Sequence, residues 1–121
     1  MNCPCNPKKL YKDCCEMAHN NIKNVISAEQ LMRSRYSAFV LADIKYLSKS
    51  HHSSTRLSKH KYKELEKWTK SVDWVKLEIL NSTENTVRFN AFFIEKGNLE
   101  SIQENSFFCK ENNHWVYLNA K

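Results

Sequence analysis

The sequence predicts an α+β fold, with helices laid against one face of an antiparallel sheet. Two observations carry this. Between residues 27 and 72 apolar side chains recur at helical spacing, and between residues 74 and 119 they alternate with polar ones. A third observation sets the start of the chain apart: four of the five cysteines lie in the first fifteen residues, as Cys3-Pro4-Cys5 and Cys14-Cys15.

A cluster this dense is either a disulfide staple or a metal site. Adjacent Cys14 and Cys15 cannot easily both reach back to Cys3 and Cys5 as disulfides without strain. Two close pairs suit a tetrahedral metal better. Four thiolates at roughly 2.3 Å around Zn2+ make a closed structural site with no position for substrate. The alternative is a metal-free reduced cluster or a redox pair. The first twenty residues are too few for a core of their own, which is what a metal supplies. The expected organisation is a zinc-binding knuckle over residues 1–20 and one α+β domain over residues 21–121. The second part holds the long amphipathic elements and is expected to fold without the knuckle.

Within the knuckle, Asn6-Pro7-Lys8-Lys9 reads as a turn between the cysteine pairs, with Leu10 and Tyr11 over the metal and Lys9 and Lys12 pointing out. Residues 16–26, with Asn20-Asn21 and Asn24, read as a linker with room for a short helical turn. Ser27 and Gln30 form a capping box that opens a helix to about residue 41, with Leu31, Met32, Tyr36, Phe39 and Val40 as its apolar stripe. Asp43 caps a short helix over 44–48, and residues 51–55 form a polar loop. A third helix spans 59–72. Tyr62, Leu65, Trp68 and Val72 turn inward, and Lys59, Lys63, Lys67 and Lys70 turn outward. Strands follow over 74–80, 86–95, 99–110 and 114–119. In the first, Val75, Leu77 and Ile79 are the inward set. The connecting turns are at 81–85, at Lys96-Gly97-Asn98 and at Glu111-Asn112-Asn113.

The net charge of +6 is unevenly spread. Residues 27–70 carry ten Lys or Arg against four acids, while residues 71–121 carry five against seven. The basic middle segment suits nucleic acid, a ribosome or an acidic protein, or is an exposed helix face kept for solubility. No run of eighteen apolar residues exists, so no membrane partner is expected. The N-terminus has no apolar signal region, and the expected compartment is the reducing cytoplasm, where clustered cysteines are metal ligands more often than disulfides.

Cys3-Pro4-Cys5, eight residues, then Cys14-Cys15 resembles the SEC-C motif, the zinc-binding element also found at the C-terminus of the SecA translocation ATPase. The run Leu31-Met32-Arg33-Ser34-Arg35-Tyr36-Ser37-Ala38-Phe39, followed by His52-x-Ser54-Thr55-Arg56, resembles the YchJ family of small bacterial proteins. Trp74, Glu104-x-Ser106-x-Phe108 and Trp115-x-Tyr117 fit the same family's strands. The resemblance covers nearly the whole chain. It implies a cone-shaped domain similar to nuclear transport factor two and the SnoaL cyclases, and it brings no reaction with it. Where the motif usually has Gly-Ser-Gly, this chain has Asn6, Pro7 and Lys8, with Asn6 standing for a glycine because asparagine tolerates a left-handed backbone.

Beyond the cysteines, Arg33, Arg35, Tyr36, His52 and Arg56 are the one concentrated polar set. As a pocket rim in the cone, Arg33 and Arg56 would fork hydrogen bonds to a carboxylate or phosphate. As structural residues, Arg35 would pair with an acid such as Glu104, and Ser54 and Thr55 would cap the third helix. No carboxylate close in sequence orients His52, and there is no nucleophile elbow or glycine-rich phosphate loop, so an enzyme is not the favoured reading. Cys109, beside Phe107 and Phe108, reads as a half-buried thiol. Three functions remain, in this order: an adaptor whose zinc knuckle docks on a protein or ribosomal partner, a small-molecule (anion) pocket or cryptic enzyme in the cone, and RNA binding through the basic helix over 59–70.

Overall fold

The computed structural model describes residues 1–121. Two short strands, β1 (Asn2–Cys3) and β2 (Asn6–Leu10), open the chain and pair antiparallel. The turn joining them falls at Pro4-Cys5, not at residues 6–9 as expected. Proline pre-sets the backbone of a turn's second position, and that places the Cys5 thiol at the turn. Asn6 is not left-handed. Its side-chain oxygen instead accepts from the Lys8 amide at 3.0 Å.

Residues 16–26 contain the helical turn the sequence allowed, but they are packed structure and not a linker. They hold helix α1 (Cys15–Asn20) and a single 3-10 turn (Ile22–Asn24). Ala18, Ile22 and Val25 are buried in the main core. Three buried residues among many polar ones give too weak a period to read, but they suffice to fix this segment against the core.

Helix α2 (Ala28–Val40) begins at Ser27, whose hydroxyl accepts from the Gln30 amide, while the Gln30 side chain accepts from the Ile26 amide. It ends with Ala42 left-handed (φ 55°) and the Asp43 amide donating to the Ala38 carbonyl at 2.8 Å. That wrap-around cap satisfies the last carbonyls and turns the chain at once. Asp43 then caps α3 (Ile44–Lys49) through the Tyr46 amide. Helix α4 (Lys59–Ser71) is capped by Ser58, not by Ser54 or Thr55.

The sheet is a four-stranded antiparallel meander, β3 (Asp73–Ser82), β4 (Thr86–Glu95), β5 (Asn98–Glu111) and β6 (His114–Ala120), in that spatial order. Lys96-Gly97 and Asn112-Asn113 make the two tight turns with positive φ at both positions, the geometry that matches strand twist. In β4 the expected inward set Val87, Phe89, Ala91 and Phe93 is buried. In β3 the expected set is corrected. Pairing passes from Trp74↔Phe93 to Lys76↔Phe92, which leaves Val75 in a bulge and 50% exposed. Trp74 takes its place against the core, beside Leu77 and Ile79.

One contiguous cluster joins all of this. Cys3, Cys5, Cys15 and Ala18 belong to it together with Leu31, Leu47, Val87 and Phe108. Full burial of side chains such as Leu31 and Leu47 stabilises the fold by about 1.5–3 kcal/mol each. Because the knuckle's cysteines share this core, residues 21–121 are expected to depend on residues 1–20 rather than to fold alone. A chain lacking residues 1–20 should bind ANS and lose its cooperative thermal transition. A sharp transition at the full-length temperature would show instead that the two parts cohere separately.

Candidate metal centre and its surroundings

The knuckle brings its four sulfurs together from three places. Cys3 ends β1, Cys5 sits in the turn, and Cys14 and Cys15 lead into α1 after a 3-10 turn (Tyr11–Asp13) reverses the chain. Cys5 Sγ lies 3.7 Å from Cys3, 3.6 Å from Cys14 and 3.6 Å from Cys15, and all four sulfurs fall within 4.8 Å of one another. Thiolates at about 2.3 Å from a central ion stand about 3.8 Å apart along a tetrahedron's edges. A disulfide needs about 2.05 Å, and no cysteine here is bonded to another. The donor set thus fits a metal ion held by Cys3, Cys5, Cys14 and Cys15. Four protein ligands close the shell, so such an ion stabilises and does not catalyse.

The sulfurs differ in their surroundings. Cys5 receives the S–H groups of its neighbours and is pulled down to about 5, chiefly by Cys15, with the Arg33 guanidinium adding to the effect. Cys14 is pushed up to about 11, first by burial and then by Cys5. Cys15 is pushed up as well, mainly because its proton is shared with Cys5.

A latch missed in the sequence fastens the knuckle to α2. His19 lies one turn after Cys15 on α1. Its Nε2 is 2.8 Å from the Ser34 carbonyl, and its Nδ1 is 2.7 Å from the Tyr11 hydroxyl. A carbonyl only accepts, so Nε2 carries the proton and Nδ1 accepts from Tyr11. Burial pushes Tyr11 up to about 12, which keeps its hydroxyl a donor. The i, i+4 spacing of Cys15 and His19 was the available signal.

The five residues expected to form one pocket rim are not brought together. Arg33 belongs to the knuckle: its Nη1 donates to the Cys5 carbonyl at 3.3 Å and its Nε to Glu29 at 3.1 Å. Arg35 is buried and does not pair with Glu104. It donates to the Leu47 carbonyl at 3.0 Å and to Ser50 Oγ at 2.7 Å, and its guanidinium covers the Tyr117 ring at 4.8 Å. Burial lowers it to about 10, so it stays charged at neutral pH. Tyr36 stands edge-on to Trp74 at 5.6 Å and walls a small cavity under the sheet. Arg56 spends both Nε and Nη2 on the His51 carbonyl.

His52 does have a carboxylate, supplied 59 residues later in the sequence and therefore invisible in it. Its Nε2 is 3.4 Å from Glu111 Oε2, and its Nδ1 accepts from the Ser54 amide and hydroxyl. Ser53 also binds Glu111 through its amide and hydroxyl, which holds that carboxyl below its ordinary range. Thr55 Oγ1 donates to the Leu118 carbonyl. These bonds strap the loop to the β5–β6 hairpin. The neighbouring His51, not singled out in the sequence, is the buried one. It meets the Tyr62 hydroxyl at 3.0 Å, and burial lowers it to about 4, leaving it neutral.

On the outside, Lys59, Lys63, Lys67 and Lys70 of α4 are exposed as expected, and Lys70 pairs with Glu66. Lys45 and Lys49 of α3 join Lys59 and Lys63 around a groove of about 450 Å3. Cys109 is half-buried. No helix is long and apolar enough to cross a membrane.

Comparison with known proteins agrees with this architecture. A family model described as YchJ, middle NTF2-like domain, matches residues 27–120. The chain is 40% identical over 127 residues to a UPF0225 protein of Vibrio parahaemolyticus, across 98% of this chain and 74% of the relative. It is 34% identical over 129 residues to a UPF0225 protein of Shewanella sp. (strain MR-4), across 96% and 77%. Among solved structures it is similar to a SEC-C motif containing protein from Rhodopseudomonas palustris. The TM-score is 0.80 at 30% identity, covering 100% of this chain and 98% of that one. A SEC-C motif containing protein from Psychrobacter arcticus gives a TM-score of 0.77 at 30% identity, covering 98% and 81%. The chain belongs to the YchJ family, and its α+β domain is of the cone-shaped, nuclear-transport-factor-two-like kind.

The protonation pattern at the knuckle sets a pH dependence. Cys14 and Cys15 are protonated at neutral pH and must lose those protons to bind a metal, so affinity rises with pH and falls in acid. Zinc added to metal-free protein at pH 7 should release at least about two protons per ion. Calorimetry in buffers of different ionisation heat measures this number, and a value near zero would mean the thiols are already ionised.

Proposed function

We propose that this YchJ-family protein is a zinc-stapled binding protein of the bacterial cytoplasm, and that its knuckle docks on another macromolecule. The carrying observation is the surface beside the closed cysteine site. Lys9, Met17, Ile26 and Arg33 border a groove of about 540 Å3 that reaches Cys14. Met17 is 50% exposed and Ile26 83% exposed, while Lys8, Lys9 and Lys12 are exposed close by. The groove itself is charge-balanced, with Asp13 and Glu29 against Lys9 and Arg33. The exposed Lys8 and Lys12 beside it add the positive charge that suits a protein or ribosomal partner presenting an apolar residue among acidic groups. Zinc is the ion proposed, because four thiolates in a tetrahedron suit a soft-tolerant d10 ion with no redox demand.

The test has two parts. Elemental analysis of protein purified under reducing conditions without chelator should find one zinc per chain. A variant with Lys8, Lys9 and Lys12 changed to alanine should keep that zinc and its melting temperature, yet lose the partner that the wild-type chain captures from a bacterial lysate. Equal capture by both would remove the knuckle from the interface.

A second reading has its own observation. The groove ringed by Lys45, Lys49, Lys59 and Lys63 collects cations from two helices, whereas one exposed helix face would need only its own. RNA backbone fits such a groove. Retention of RNA should then fall steeply with salt, and Lys45→Ala with Lys49→Ala should reduce the slope by about two. A slope unchanged by these substitutions would exclude α3 from any RNA contact.

A further inference from the structure

A cavity of about 110 Å3 lies where α2 faces β3, β4 and β5. Four of its eight lining residues are aromatic: Tyr36 and Phe39 from α2, Trp74 from β3 and Phe89 from β4. The rings do not stack. Tyr36 meets Trp74 edge-on at 81° and Phe39 meets it tilted at 45°, and all three border the cavity. The one charged residue of the lining is Glu104, the register partner of Phe89 on the neighbouring strand.

Glu104 breaks the pattern of its strand. It occupies an inward position between Ile102 and Ser106, where alternation calls for an apolar side chain. Its one hydrogen bond is a long one, from Ser106 Oγ at 3.5 Å. None of the five ion pairs in the molecule includes it. Arg35 directs its donors to Leu47 and Ser50 and acts on Glu104 only through space, with no hydrogen bond between them. A half-buried carboxylate left this poorly partnered costs stability unless something cationic joins it.

We propose that this cavity binds a methylated ammonium ion, with its charge against the aromatic faces and beside Glu104. The sign follows from the lining: one carboxylate, no cation, and π faces that attract positive charge. The degree of methylation follows from what is missing. A primary ammonium brings three N–H donors, and this lining offers too few acceptors for them. A methylated nitrogen presents C–H surface instead, which the apolar walls accept without an unmet hydrogen bond. The size agrees too. Apolar cavities of about 150 Å3 take up benzene, so about 110 Å3 suits a group of roughly five heavy atoms, such as tetramethylammonium. The anion expected from the sequence has no footing here, because Arg33 and Arg56 do not line the cavity.

The experiment uses full-length, metal-loaded protein and tetramethylammonium chloride as the probe, at constant ionic strength. Tryptophan fluorescence and the melting temperature should both respond saturably. Ammonium chloride, sodium acetate and tert-butanol at equal concentration should give no saturable response. Glu104→Gln should weaken tetramethylammonium by about tenfold or more. NMR of the wild-type protein should show contacts from the N-methyl protons to the ring protons of Trp74 and Phe89, which keeps the test independent of how well the variant folds. The proposal is overturned by an equal response to tert-butanol, by preference for acetate, by full affinity in folded Glu104→Gln protein, or by the absence of those ring contacts.

Discussion

The structure depends on one constraint: four sulfur atoms must converge inside a core that they share with α2. Cys3 and Cys5 are as buried as the leucines around them, and Cys3 Sγ lies 3.6 Å from the Ser37 hydroxyl on α2. Metal ligands placed this way make ion binding part of folding. A knuckle on a tether would leave the rest of the domain unaffected by the ion. Here the latch from Tyr11 through His19 to Ser34 transmits the knuckle's position directly to the helix backbone.

Helix α2 answers this constraint by working on two sides. Met32, Tyr36 and Phe39 face the sheet and its cavity. Ser34 and Ser37, fully buried, are small enough to let the knuckle and α3 approach closely. Small buried hydroxyls normally carry a desolvation cost. Ser34 meets it by donating to the Leu31 carbonyl and pairing with the Tyr46 hydroxyl. Arg35 lies between the two sides and is satisfied by backbone, hydroxyl and ring. No buried side-chain nitrogen or oxygen is left without a partner. A helix read only for its apolar stripe looks half-committed, because five of its inward positions are polar or small.

What was legible followed from local rules. The cysteine spacing named the four sulfurs that converge, the alternation in β4 named its inward face, and Asp43 and Ser27 named two helix starts. These depend on residues within a few positions of one another. What was not legible depended on distant partners. Glu111 reaches Ser53 and His52 across the fold, and the sequence gives no sign of it. The Val75 bulge shifts β3 by one residue, and a period of two cannot show where it slips. Adjacent His51 and His52 looked alike, yet the β6 backbone pairs on either side of them, Tyr117 amide to Ser50 and His52 amide to the Tyr117 carbonyl, send one ring inward and the other out. The arginines looked like ligands because arginine forks suit anions, but backbone carbonyls took Arg56 and much of Arg35 first.

That outcome divides charge in a consistent way. The arginines that enter the body of the fold spend their donors on the protein itself, so the interior offers no free cation. The lysines remain outside, on the knuckle and along α3 and α4, where their charge is hydrated and available to a macromolecule. Glu104 is the one charged residue that lines the inner cavity, while the buried Arg35 spends its donors on Leu47 and Ser50. Exterior and interior therefore differ in sign: lysines on the exposed helix faces and the knuckle, and a carboxylate in the lining of the inner cavity. Both follow from where the chain places Lys and Glu relative to the sheet, and both require α2 to stay where the cysteine cluster pins it.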